Sequence, residues 1–400
     1  MHLISDTDAL DRLCREFASA PYITVDTEFM RERTYYAQLC LVQMARPGDG
    51  DDDAVLIDPL ADGMDLAPLY ALMAAPVTKV FHAARQDIEI FWTQGRVIPE
   101  PLFDTQVAAM VCGYGEQVGY ETLVRRIAKA EIDKTSRFTD WTNRPLSKKQ
   151  LTYALADVTH LRVIYERLSS RLEETGRAPW VAEEMAVLES PDTYEVDPDE
   201  AWRRVKARSA SPRHLAIVRS LARWRELTAQ SRDVPRSRIL KDDALLEVAS
   251  ARPKGPDQLH KLRLLQREGR KAETSAEILA AVAEGLACPD ERLPRLPPPV
   301  RRREGSAAVS DLLRVFLKAR ADELGIASKL LATSAELDAL AGEDDPDVPA
   351  LRGWRFESFG SDALRIRDGS LALCVGENGI ELIERDAVMR PVNANVGEAD

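Results

Sequence analysis

Two carboxylates stand one residue apart in the stretch Val25-Asp26-Thr27-Glu28-Phe29. Residues i and i+2 of a strand face the same side, so Asp26 and Glu28 converge at its end while Thr27 points to the other face. Converging carboxylates repel unless a counter-charge sits between them. A hard divalent cation, Mg2+ or Mn2+, supplies one through oxygen ligands; a solvated strand end is the simpler alternative. A third acid, Asp87, lies five residues beyond His82 where a strand turns into a helix, a place the helix dipole alone favours for a carboxylate. Farther on, Tyr153 and Asp157 stand at i and i+4 of a helix, which stacks phenol over carboxylate. Taken singly, Tyr153 reads as a packed core tyrosine and Asp157 as a helix-surface acid.

The elements that must position these groups are legible from periodicity. YITVD (22–26), QLCLVQMA (38–45), AVLID (54–58) and VTKVFHA (77–83) read as strands, rich in Val, Ile and Leu and bounded by Pro, Gly or Asp. Helical spacing recurs at 8–18, 65–74, 84–95, 104–113 and 120–131. A long pattern at 147–176 has Ser147 at its N-cap and Gly176 at its end, and Leu151, Ala154, Leu155, Val158, Leu161 and Ile164 mark its buried side. Mixed in this way, the elements form an α/β domain over residues 1–190, and the closely spaced first three strands imply a mixed, partly antiparallel sheet.

The acidic, apolar-poor stretch 189–200 marks a domain boundary. Short helical patterns then fill a first small helical domain at 197–285, the first of them AWRRVKARSA. The Pro-rich and Arg-rich stretch 286–308 is a linker by composition, and a second helical domain is expected at 306–390. Its last part, 370–386, reads equally as strand or helix.

The order of these residues carries a resemblance. DxE on a strand, Asp at a helix start and Tyr-x-x-x-Asp on a later helix is the signature of the 3′-to-5′ exonuclease superfamily with four carboxylates. VDTEFMRERTYYAQLCLVQMA, HAARQDIEIF and YALADVTHL resemble the three exonuclease motifs of bacterial ribonuclease D. The family implies a multidomain fold: an α/β, ribonuclease H-like exonuclease domain with a mixed sheet, followed by two small all-helical HRDC-type domains. The second of these is recognised by its position and by GWRFESFG (353–360).

Carried over by residue, the resemblance makes Asp26, Glu28, Asp87 and Asp157 ligands of two divalent ions and Tyr153 the group that orients the attacking water. It implies a 3′-to-5′ exoribonuclease that trims tRNA precursors and other structured RNAs and releases nucleoside 5′-monophosphates. A DNA exonuclease would use the same four acids and is the alternative. A noncatalytic RNA-binding relative would be expected to lack one of the acids, and all four are present. Phe29, Gln38 and His82 flank the acids, and Phe29 either stacks on terminal bases or is simply the next inward side chain. Tyr35 and Tyr36 are candidates to line the path of the single strand.

The formal net charge of −12 argues against a polyanion partner only if it is evenly spread, and it is not. Residues 1–190 carry −10, residues 201–275 carry +11 and residues 311–400 carry −8. The basic middle block, with Trp202, Arg203, Arg204, Lys206 and Arg208 at its start and Arg219, Arg223 and Arg225 beyond, is therefore expected to hold RNA backbone. Five cysteines without CxxC spacing suggest neither a disulfide framework nor a thiolate zinc site, and fit a cytoplasmic protein. No leader pattern or apolar run long enough to span a membrane is evident, nor any obligate protein partner.

Overall fold

The computed structural model describes residues 2–48, 53–136, 139–207, 211–296, 303–377 and 379–385. Six strands form one sheet: β1 (His2–Ile4), β2 (Tyr22–Met30), β3 (Gln38–Ala45), β4 (Ala54–Ile57), β5 (Thr78–Phe81) and β6 (Leu102–Asp104), in the order β1-β4-β3-β2-β5-β6. β2 pairs antiparallel with β3, and β3 with β4; the β1–β4, β2–β5 and β5–β6 pairs are parallel. This is the mixed sheet that the strand spacing implied. The edge strands β1 and β6, three residues each, have no counterpart in the sequence reading, because so short a run carries no alternation. β2 also runs to Met30, so Asp26 and Glu28 lie inside the strand rather than at its end. Pairing continues past Glu28 because a bulge between Glu28 and Phe29 lets Phe29 and Met30 meet Leu39 and Gln38.

The helices of this region are α1 (Thr7–Phe17), α2 (Ala67–Met73), α3 (Arg85–Gly95), α4 (Thr105–Val111), α5 (Tyr120–Leu123), α6 (Lys148–Glu174) and α7 (Ala178–Leu188). α6 starts in a capping box: Gln150 Oε1 accepts the Ser147 N–H at 3.0 Å, and Ser147 Oγ accepts the Gln150 N–H at 3.3 Å. α7 was hidden by Gly176 and Pro179, which read as the end of a helical block.

The chain divides into two compact units. The first comprises Met1–Asp104, Ala130–Val163 and Met185–Pro298; the second comprises Thr105–Lys129, Ile164–Glu184 and Pro299–Asp400. In the first unit the sheet is joined by a 3-10 turn (Pro198–Arg204) and helices α8 (Pro212–Ser231), α9 (Arg236–Ile239), α10 (Asp242–Ala251), α11 (Pro256–Leu259) and α12 (Ala272–Ala287). Leu215, Leu221, Leu245, Val248 and Ile278 build the helical core. The helix expected for AWRRVKARSA is that 3-10 turn, ending at Arg204.

The connection between β2 and β3 is fixed to these helices by polar contacts. Tyr35 donates its hydroxyl proton to Glu226, which is 1% exposed, and receives hydrogen bonds from Gln230 Nε2 at 3.1 Å and the Arg236 guanidinium at 2.9 Å. Asp233 Oδ1 accepts the N–H groups of Tyr35 and Tyr36, each at 3.0 Å. Burial alone would push the Glu226 carboxyl up, but hydrogen bonds from Arg236 and Tyr35 outweigh it and hold the group below its usual range. Burial, helped by the bond to Glu226, pushes the Tyr35 phenol up to about 12. Tyr35, a candidate for the single-strand path, is thus an anchor between sheet and helices; Tyr36 keeps 39% of its surface exposed.

The second unit contains α4, α5, the later part of α6 and a C-terminal set: α13 (Ser306–Leu324), α14 (Ser328–Leu331), α15 (Ser334–Gly342), α16 (Gly353–Arg355) and α17 (Ser361–Asp368). Trp180 stacks on Trp354 with ring centroids 4.3 Å apart, and Arg355 pairs with Glu184 at 2.6 Å. The C-terminal region is not wholly helical. Within the ambiguous stretch 370–386, β7 (Leu371–Gly376) and β8 (Gly379–Glu384) pair antiparallel. Among the described residues, no helix is long and apolar enough to cross a membrane.

Candidate active site

β2 and α6 bring three of the four expected acids together. One carboxylate oxygen each of Asp26, Glu28 and Asp157 lies within 4.8 Å of the other two; Asp26 and Glu28 are half-buried and Asp157 is buried. The helix is tied to the strand two residues before Asp26, where Thr24 Oγ1 donates to the Val158 carbonyl at 2.9 Å. Arg144 holds the loop ahead of α6 with two bonds of 2.7 Å to Asp58 and one of 2.6 Å to the Cys40 carbonyl. The carboxylates are therefore placed by a sheet register and a helix interior.

Asp87 is held apart from that trio. It sits in the first turn of α3, 6% exposed, and its carboxylate accepts a hydrogen bond from Thr27 Oγ1. Strand alternation points Thr27 away from Asp26, and in the structure that is what lets it reach Asp87. Asp104, also unforeseen, ends β6 and accepts the N–H groups of Ala83 and Ala84 at 2.9 and 2.8 Å, fixing the turn that starts α3. Ala83 takes a left-handed conformation there, with φ of 58°. An acid at a strand end is the only sequence signal for this cap.

The electrostatics are those of a buried acidic centre. Burial, then the neighbouring Asp157, pushes the Asp26 carboxyl well above its ordinary value against one lowering bond from the Thr27 backbone. Burial, then Asp26, does the same to Asp87. The Tyr153 phenol is pushed far up by burial, then by Asp157, Glu28 and Asp26, and it hydrogen-bonds Asp157. It packs against Trp141, with centroids 6.2 Å apart, in the cluster that includes Leu41 and Ala154. The all-oxygen donor set and the concentrated negative charge suit a hard divalent cation.

Comparison with known proteins assigns the family. Residues 1–173 match the 3′-5′ exonuclease family and residues 214–282 the HRDC domain family. Over 96% of its length and 99% of the relative's, the chain is 55% identical to ribonuclease D of Jannaschia sp. (strain CCS1). The chain belongs to the ribonuclease D family. It is a phosphodiester-cleaving hydrolase of the 3′-to-5′ exoribonuclease type, with an α/β exonuclease domain followed by HRDC-type helical structure. Ribonuclease D of Nitrobacter hamburgensis is 49% identical over 96% of this chain and all of that one. The crystal structure of Escherichia coli RNase D, described as an exoribonuclease involved in structured RNA processing, superposes with a TM-score of 0.79 at 30% identity, covering 92% of this chain and 98% of that one.

The residues expected to touch RNA are placed unevenly. Phe29 and His82 are half-buried and Gln38 is exposed at the start of β3. Trp202, grouped with the basic residues expected to hold RNA, is 6% exposed and belongs to the helical core. Arg203 stacks over it at 5.3 Å and pairs with Glu200. Arg225 is buried against Asp242 at 2.6 Å, and Arg223 pairs on the surface with Asp199 at 2.8 Å, so part of the basic block is engaged within the protein. Arg204 and Lys206 are exposed. Arg204 lines a cavity of about 560 Å³ together with Arg31, Tyr35, Glu226, Arg236 and Lys241. Arg208 lies outside the described residues.

Tyr153→Phe separates packing from chemistry, since the ring stays and only the hydroxyl goes. If the hydroxyl aligns the nucleophile, turnover falls by about 100-fold while thermal unfolding shifts by no more than ~1 kcal/mol. Single-turnover kinetics on a short RNA checks this; wild-type turnover would leave Tyr153 a packing residue.

Proposed function

We propose that the protein removes nucleotides one at a time from the 3′ ends of structured RNAs, tRNA precursors among them, and releases nucleoside 5′-monophosphates. The observation that carries this reading is the carboxylate trio of Asp26, Glu28 and Asp157 with the Tyr153 hydroxyl bonded to it. Asp26, Glu28, Asp87 and Asp157 would hold two divalent ions, Mg2+ or Mn2+, with Asp26 shared between them. Bound there, the ions supply the positive charge that stabilises the entering and leaving oxygens of the phosphodiester.

The protein's own groups do the rest. Tyr153, with its phenol pushed far up, keeps its proton at neutral pH and acts as a hydrogen-bond partner that aligns water, not as a base. Thr27 and Asp104 fix Asp87 and the start of its helix. Phe29, Gln38 and His82 flank the acids and are the candidates to meet the terminal nucleotides. Arg203, Arg204, Lys206 and Arg208 are the candidates for phosphate contact farther back on the RNA. The free thiols of all five cysteines favour a reducing, cytoplasmic setting.

The test is product analysis on a 3′-extended transcript beside a DNA of the same sequence. Stepwise shortening of the RNA with 5′-monophosphate release supports the proposal. Equal or faster loss of the DNA would move the assignment to a DNA exonuclease.

A further inference from the structure

Gln43 is the most anomalous polar side chain near the acids. It is fully buried, and neither its amide nitrogen nor its amide oxygen meets a hydrogen-bond partner in the protein. Enclosing an unpaired amide is costly, and a glutamine that only filled space would be better replaced by Leu or Met. Its position is specific. In the β2–β3 register Gln43 is the direct cross-strand partner of Asp26, and such partners share one face of the sheet with Cβ atoms roughly 5 Å apart. The neighbouring pairs on that face are Thr24 with Ala45 and Glu28 with Leu41. Ala45 packs against Val158, and Leu41 lies in the cluster with Tyr153 and Ala154. The amide is thus enclosed by apolar groups under α6, with Asp26 as its cross-strand neighbour.

We propose that Gln43 is a positioning residue of the cation site: unpaired in the cation-free protein, its amide N–H donates to its cross-strand neighbour Asp26 when a cation is bound, holding that carboxylate in its ligating orientation. The inference rests on Asp26 being a metal-binding carboxylate. An amide is suited to this place because it donates at every pH without adding charge beside acids that already repel one another. A hydrogen bond from behind also fixes the rotation of a ligating carboxylate, on which metal affinity depends.

The test uses the full chain with Gln43→Met, which keeps length and volume, and Gln43→Leu as a second apolar variant. In chelator, both should unfold at a higher temperature than wild type, by a few degrees, because an unpaired buried amide has been removed. Mn2+ binding, followed by electron paramagnetic resonance of the free ion, should weaken about 10-fold or more. Turnover should fall while KM for a short RNA stays within about twofold. Lower melting of both variants in chelator would show that the amide has an internal structural role and would overturn the proposal. Mn2+ affinity and turnover equal to wild type would overturn it as well. A wild-type protein with no saturable Mn2+ binding that Asp26→Asn removes would defeat the metal reading itself, a result distinct from failure at Gln43 alone.

Discussion

Asp26→Asn should lower turnover by about 1000-fold or more, equivalent to ~4 kcal/mol of transition-state stabilisation, while leaving RNA affinity nearly unchanged. Asn keeps the shape of Asp but removes the charge at the acid proposed to serve both ions. The same substitution should raise the melting temperature of the metal-free protein at pH 8. The Asp26 carboxyl lies well above its ordinary value in the folded protein, through burial and then Asp157. A folded-state value above the unfolded one, about 3.9, means the folded protein binds the extra proton. Its contribution to stability is fully present below the unfolded value and is lost as pH rises through the folded one. At pH 8 wild type therefore bears the cost of an ionised, crowded Asp26 and the Asn variant does not; near pH 3 the two should converge. Calorimetric scans in chelator at both pH values, beside single-turnover rates in Mg2+, check the two halves. A variant with more than about a tenth of wild-type turnover would remove Asp26 from the centre of the site, since that loss is only about 1.4 kcal/mol.

How far the site was legible follows from how local each cause is. Asp26 and Glu28 were readable because strand alternation is a two-residue rule, and Tyr153 and Asp157 because a helix returns to the same face after four. The start of α6 was readable from Ser147, whose capping partner Gln150 is three residues away. What escaped depends on the sheet's tertiary pairing. Thr27 reaches Asp87 across 60 residues, Asp104 caps α3 across about 20, and Gln43 meets Asp26 only through the β2–β3 register. Each is a small polar residue whose partner no periodicity names.

The basic middle block shows the converse limit. Charge counting correctly marks residues 201–275 as positive but cannot say which guanidiniums face water. Arg225 and Arg236 lie against Asp242 and Glu226, and the latter pair anchors Tyr35, 191 residues from Glu226 in sequence. Trp202, set among arginines and grouped with them for RNA holding, lies instead in the helical core beside Leu215, Leu221 and Leu245. Any RNA contact by this block therefore falls to its remaining exposed cations, such as Arg204 and Lys206.

Chelation should abolish activity entirely, and Mg2+ or Mn2+ should restore it with nucleoside 5′-monophosphates as products. The structural ground is the carboxylate cluster, where burial and neighbouring acids raise the proton affinities of Asp26 and of Asp87. A cation and a proton compete for such a cluster, so apparent metal affinity should rise with pH as Asp26 and Asp87 give up their protons, and level off once both are ionised. Stability should follow in opposite senses. Without metal, the protein loses stability as pH climbs through the raised carboxyl values; with metal in excess, binding to the folded state adds about 2.7 kcal/mol at 100 times Kd, and more as affinity improves. Melting curves across pH 5 to 9, with chelator and with 5 mM Mg2+ in parallel, should therefore diverge as pH rises. Parallel curves, or exonuclease activity undiminished after exhaustive chelation, would leave the carboxylates without a cation to hold and would refute the two-ion reading.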